Sequence, residues 1–171
     1  KTTGANQIAE PNAMKELLIS LHLQRYSIMK CFELIDKDYD CIVRYRTDCF
    51  PADNIFLRDI DFSEKIIYTP INLGGGGAVI KTEDGEQIVS GMNDKVSFGN
   101  MKNMKVYCEA YNNLYDDQIN HKELVQQETS LYYHLLIKNN IKIGHIPVKY
   151  FMVGFEKGNG GRGFPTRISV F

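Results

Sequence analysis

Tryptophan is absent from this chain of 171 residues, and cysteine and proline are sparse, at 4 and 5. The cysteines, Cys31, Cys41, Cys49 and Cys108, show neither CxxC nor zinc-finger spacing, which excludes a metal finger or a small disulfide scaffold. Cys41 in an apolar run and Cys108 on a helical stretch are expected to be buried free thiols, which suits a reducing, cytoplasmic compartment. A surplus of one charge is also lacking. Lys plus Arg is 20 against 21 for Asp plus Glu, so nothing in the balance points to nucleic acid. No apolar run approaches the ~20 residues that cross a bilayer. Residues 1–10 lack the apolar stretch of a signal peptide. His22, His121, His134 and His145 are scattered and suggest no histidine metal site, and the run Gly74–Gly77 lacks the GK[ST] ending of a phosphate-binding P-loop.

What is present describes a folded domain. Hydrophobic residues make up 43% and charged residues 24%, which excludes disorder and collagen-like fibres. The length suits one domain, with no internal repeat and no linker. The chain opens on Lys1 rather than Met, which raises the expectation of a fragment.

Apolar residues at helical spacing, Met14, Leu17, Leu18, Leu21, Ile28, Phe32 and Ile35, predict a helical region from Asn12 to about Asp36, with a break near Gln24–Tyr26. Cys41–Arg46 reads as a buried strand that ends at Thr47-Asp48, with Pro51 stopping any extension. Lys65–Thr69 reads as a second strand. Asp84-Gly85 marks a hairpin between Ala78–Lys81 and Glu86–Ser90. Val96–Gly99 is a short strand, and Asn100 is placed to cap a helix whose Met101, Met104, Cys108, Tyr111 and Leu114 share a face. A further helix is expected over about Lys122–Asn139, with Leu124, Glu128, Leu131 and Leu135 near one stripe, then strands at 141–146 and 148–153. Residues 1–11 and 156–171 read as loose. The pattern is a single mixed α/β unit.

Chemistry concentrates at three places. Arg44-Tyr-Arg-Thr-Asp48 ends a strand, where open α/β sheets bind their ligands. Two arginines alternating on one strand face suit phosphate oxygens, and Asp48 suits a divalent cation. The plainer alternative has Asp48 capping the turn and pairing with Arg44 or Arg46. In Gly91-Met-Asn-Asp94, Asp94 could deprotonate a hydroxyl, or Asn93 and Asp94 could simply form an Asx turn before Val96. Glu128 lies on the inner stripe of its helix, which calls for a partner such as a strand-end arginine or a ligand. The loop Gly158–Gly163 with Arg162 is a candidate cover for an anion, or simply a loop near a chain end.

The order of short motifs then resembles a known family. Tyr26-Ser-Ile-Met-Lys-Cys-Phe-Glu-Leu34, Tyr39-Asp-Cys-Ile-Val-Arg-Tyr-Arg-Thr-Asp48, Gly91-Met-Asn-Asp-Lys-Val-Ser-Phe-Gly99, Met104-x-x-Tyr107 and Glu128-x-x-Leu-x-x-His-Leu135 followed by Asn140-Ile-Lys-Ile143 together resemble small GT-A-type glycosyltransferases of bacterial polysaccharide loci and large DNA viruses. The likeness covers roughly residues 12–150. It implies a Rossmann-like mixed sheet flanked by helices, and transfer of a sugar from a nucleotide-sugar donor to a hydroxyl of a glycan or other acceptor, with Mn²⁺ or Mg²⁺. It also implies that Asp48 is the metal-binding acid, that Arg44 and Arg46 lie near the donor diphosphate, that Asp94 is a candidate general base if the reaction inverts, and that Asn93 and Glu128 line the site. Two departures stand out. Arg46 occupies the position of the first Asp of a DxD motif. Residues 1–11 do not supply the nucleotide-binding βαβ segment with which the family usually opens, so the chain is expected to be a fragment lacking it. The second reading is therefore a non-catalytic module that binds a sugar, a nucleotide or a protein. A nuclease or phosphatase using Asp48 and Asp94 is a third, disfavoured by the lack of a dense carboxylate cluster. Neither nucleic acid nor a transmembrane segment is expected as a partner, and the sequence leaves the oligomeric state open.

Overall fold

The structure is a computed structural model and describes residues 11–47, 49–51, 57–70, 78–82, 85–89, 92–122, 124–146, 150–155 and 165–170. The run Gly74–Gly77, Asp48, Asp84, Gly91, the loop Gly158–Gly163 and residues 1–10 lie outside the described residues. In chain order the strands are β1 (Ile42–Tyr45), β2 (Cys49–Pro51), β3 (Ile66–Pro70), β4 (Ala78–Thr82), β5 (Gly85–Val89), β6 (Val96–Gly99), β7 (Lys142–Ile146), β8 (Tyr150–Phe155) and β9 (Pro165–Val170). The helices are α1 (Pro11–Phe32), α2 (Met101–Cys108), α3 (Tyr111–Asn120) and α4 (Gln127–Tyr132), the last continuing as π-helix through Tyr133–Lys138.

The main sheet runs β1-β6-β3-β7. Strand β6 is antiparallel to both β1 and β3, while β3 and β7 are parallel in the register Ile66↔Lys142 to Pro70↔Ile146. The chain is thus a mixed α/β domain with a four-stranded mixed sheet flanked by helices. Strands β2, β8 and β9 form a second antiparallel sheet, and β4 with β5 a hairpin.

Side-chain alternation divides the main sheet into two faces. On one, Ile67 packs with Met104, Tyr107 and Cys108 of α2 and with Leu131, Leu135 and Ile141, all buried. Full burial of such a side chain contributes about 1.5–3 kcal/mol. On the other, Tyr68 stacks on Phe98 at 5.6 Å between ring centroids, with Phe62 edge-on to both. Gly144 opposes Tyr68 across the parallel pair, and a Cβ there would lie 2.6 Å from the ring. Only glycine lets that ring lie flat.

Local signals account for several elements. Asn100 caps α2, its side-chain oxygen accepting from Asn103 N–H at 2.8 Å. The π-helical turn ends where Asn140 adopts φ 50° and Ile141 N–H reaches the Leu135 carbonyl at 2.8 Å, a left-handed stop that asparagine tolerates. The expected hairpin forms, but Gly85, at φ 114°, is the first residue of β5 and pairs with Thr82 instead of lying in the turn.

Other expectations are corrected. Helix α1 is continuous through Gln24–Tyr26, because Arg25 points inward between Leu21 and Met29 rather than breaking the helix. Leu17, expected on the buried stripe, is 44% exposed. Strand β1 is only partly buried and pairs, among the described residues, with β6 alone. The helix expected through Leu114 is two helices with a turn at Glu109-Ala110, and the one expected from Lys122 begins at Gln127. Pro51 does not end strand structure but closes β2, which pairs with β8. The expectation of a loose 156–171 fails at Pro165–Val170, which is β9.

Candidate functional site

The segment before β6 meets the end of β1, since Tyr45 pairs with Val96 and Arg46 N–H donates to the Lys95 carbonyl at 2.9 Å. This brings Asp94 to the carboxyl end of β1. Asn93 and Asp94 are both buried. Asn93 Oδ1 accepts from Lys95 N–H at 2.9 Å, which is the Asx turn of the plainer alternative. Asp94 does something different. Its Oδ1 accepts from Lys95 Nζ, and its Oδ2 accepts from Gln127 Nε2 at 3.0 Å, Arg46 Nη1 at 3.4 Å and Gln24 Nε2 at 3.5 Å. Burial alone would raise its pKa. The Lys95 ammonium outweighs that by hydrogen bond and charge, helped by Arg46 and Arg44, and holds the carboxyl below its ordinary value.

Glu128 completes this corner. Its Oε1 accepts from Lys95 Nζ at 3.2 Å, and its carbonyl accepts from Met92 N–H at 3.3 Å. The partner expected for Glu128 was a strand-end arginine; Lys95 fills that place, bridging the two acids. Burial would lower the Lys95 pKa, but Asp94 and Glu128 together raise it. Of the expected site residues the structure therefore gathers Arg46, Asn93, Asp94 and Glu128. Arg44 lies on the same strand face as Arg46, within electrostatic reach of Asp94. Asp48 lies outside the described residues.

A second polar cluster was not foreseen. Arg25, 1% exposed, donates from Nη2 to the Gln127 carbonyl at 2.8 Å, a tie across 102 residues of chain. Its Nη1 is buried without a hydrogen-bond partner among the described residues, as are Arg44 Nη1, Ser97 Oγ and Tyr107 Oη. Arg44 and Ser97 are direct cross-strand neighbours. Burial pulls the Arg25 pKa down and Arg44 pushes it further, while Tyr107, Asp94 and Glu128 pull it up. The sequence did carry a signal for Arg25. It falls four residues after Leu21 and four before Met29, so it sits inside a buried helical stripe. Lys95 had no signal beyond standing next to Asp94.

Between α1 and β1 opens a cleft of about 450 Å³, walled by Ile28, Phe32, Ile35 and Ile42 and carrying Gln24, Arg44 and Arg46. Apolar walls with a few convergent polar groups are the usual make-up of a small-molecule site. Cys108 also lines it, but burial pushes its thiol up to about 12, so it is a packing group and no nucleophile. His134, buried and donating from Nε2 to the Val106 carbonyl at 3.1 Å, has its pKa lowered by burial and stands apart from the acids.

Among the described residues no three His, Cys, Asp or Glu side chains are placed to hold a metal ion. The two acids of the corner do not fit one, because the Lys95 ammonium already sits between them. Also among the described residues, no helix is long and apolar enough to cross a membrane. Comparison with protein-family models, curated proteins and solved structures finds no match to this chain.

Proposed function

We propose that this chain is a nucleotide-sugar-dependent glycosyltransferase domain. The observation that carries the reading is the convergence of Arg44, Arg46, Asp94 and Glu128, from three separate segments, beside a cleft at the carboxyl end of β1. Guanidinium groups match the oxygens of a donor diphosphate in geometry and charge. The acceptor hydroxyl oxygen bonds to the anomeric carbon and its proton passes to Asp94. The bond from that carbon to the diphosphate oxygen breaks, and its electron pair leaves with the nucleoside diphosphate, where Arg44 and Arg46 offset the charge. Asp94 is ionised and able to accept, but it must release one partner first, and its longest contacts are to Gln24 and Arg46. No step is assigned to Mn²⁺ or Mg²⁺.

Release of nucleoside diphosphate from UDP- and GDP-sugars, with and without Mn²⁺, tests this reading. Arg46→Gln is expected to lower kcat/KM about ten- to a hundred-fold, the scale of a lost charged hydrogen bond, without unfolding the protein. Unchanged turnover in that variant, or no turnover of any donor by the native chain, overturns it. The second reading, a non-catalytic sugar- or nucleotide-binding module, has one observation in its favour. Four donors already occupy the oxygens of Asp94. Binding without turnover would support that reading.

A further inference from the structure

We propose that the Arg25–Arg44–Ser97–Tyr107 cluster is a buried site for a phosphate-class oxyanion, entered through the cleft between α1 and β1. Four buried groups able to donate, two of them on guanidinium ions, have hydrogen-bonding atoms without partners among the described residues. Each such atom carries a desolvation penalty of about 1–3 kcal/mol or more when charged, so something must satisfy them. A water molecule would find acceptors only at the Ser97 and Tyr107 hydroxyls, since guanidinium offers none, and it brings no charge to offset the two arginines. A tetrahedral oxyanion brings only acceptors and negative charge.

The charge balance points the same way. Arg25, Arg44, Arg46 and Lys95 face Asp94 and Glu128, and the hydrogen bonds of both carboxylates go to Lys95, Arg46 and two glutamines. None of those bonds reaches Arg25 or Arg44. Among the described residues, the two cations that these bonds leave out are therefore those of the cluster. Arg44 lines the cleft together with Arg46 and Gln24 and is the member of the cluster that reaches it. Arg25 was not among the residues that the family resemblance supplied, and it is buried like Ser97 and Tyr107. The Gln127 carbonyl also accepts from Ser130 Oγ at 3.1 Å, so Arg25 is not needed to satisfy that oxygen.

This inference deepens the proposed function by naming where a donor phosphate is held, and it rests on that reading only for the identity of the natural ligand. The test is titration of the native chain with inorganic phosphate, inorganic pyrophosphate, UDP and chloride in EDTA, by calorimetry and thermal shift. Phosphate-class anions are expected to bind and chloride not to. Binding of UDP but of neither inorganic anion would place affinity in the nucleoside and overturn the proposal. Arg25→Met is expected to weaken pyrophosphate binding at least tenfold while the ligand-free melting temperature stays level or rises, because a buried charge is replaced by an apolar chain. Should that variant not fold, Tyr107→Phe keeps the packing and is expected to weaken binding about fivefold, one neutral hydrogen bond's worth. Pyrophosphate affinity unchanged in the variant that folds, or no binding at millimolar anion, overturns the proposal. The two readings fail separately. Arg25-dependent anion binding without sugar turnover would sink the transferase and leave this site, whereas turnover with anion binding indifferent to Arg25 would do the reverse.

Discussion

Two polar clusters meet between α1, β1 and the start of α4, and they are built on opposite principles. At the Asp94 corner both carboxylate oxygens accept hydrogen bonds, and Lys95 is shared by two acids. Around Arg25 and Arg44, one nitrogen of each guanidinium and the hydroxyls of Ser97 and Tyr107 are buried without partners among the described residues. A saturated buried network fixes the conformation of the segments that supply it. An unsaturated one lowers stability until a ligand enters, and a protein keeps such a feature where binding repays it. The corner thus acts as scaffold and the arginine cluster as receptor, with Arg46 standing between them.

The sharpest way to break that contrast is to remove the anchor. Asp94→Ala leaves Lys95 facing a buried void and is expected to cost about 3–5 kcal/mol, the range for breaking one side of a buried pair. At roughly 2–4 °C per kcal/mol for a domain of this size, the melting temperature falls by about 6–20 °C. A loss below about 1 kcal/mol in denaturant melts would show that the corner is no scaffold.

Lys95→Met is expected to destabilise by about 2–3 kcal/mol, because the two carboxylates lose the ammonium between them, with Arg46 the cation still bonded to Asp94. Its deficit should shrink as the pH is lowered and one acid takes up a proton. A deficit independent of pH would mean that the ammonium charge is not what the corner uses.

The smallest effect is the pH profile of the native chain. Asp94 has a folded pKa below its ordinary 3.8, so its contribution is present above that value and lost as pH falls through the lower folded one. His134, held neutral by burial, begins to reduce stability as pH falls below 6.5, where the unfolded chain takes up the proton and the folded one does not. Lys95 has a folded pKa above 10.5, so its share is present below that value and lost as pH rises through the higher one. Melting temperature against pH should show both limbs, and Asp94→Ala should flatten the acid limb nearest pH 3.8.

Features written locally were legible in the sequence. Asn100 and the helix after it, the hairpin of β4 and β5, and the strand Val96–Gly99 need only their own neighbours to be recognised. Strand β2 was not legible, because it exists by pairing with β8, a partner far along the chain. Arg25 shows the same limit in a helix. A charge within a polar triplet reads as a break, yet the helix continues, with the guanidinium bonded to a carbonyl supplied by α4. At the site, the types Arg44, Arg46, Asp94 and Glu128 could be picked from sequence. That Lys95 would bridge both acids depended on Met92–Lys95 meeting α4, which no spacing encodes.

The parallel pairing of β3 with β7 carries a consequence for the order of assembly. Strands β1, β6 and β3 can associate as soon as Gly99 has left the ribosome, and their contacts are antiparallel. Strand β7 arrives only after α2, α3 and α4, and the Lys65 ammonium then reaches the Asn139 carbonyl across 74 residues. Closing so long a loop is entropically slow and comes late. Until it happens, the Tyr68 ring lacks Gly144 beneath it and the edge of β3 lies open to other chains, so the interval before β7 docks is when this protein is most exposed to aggregation.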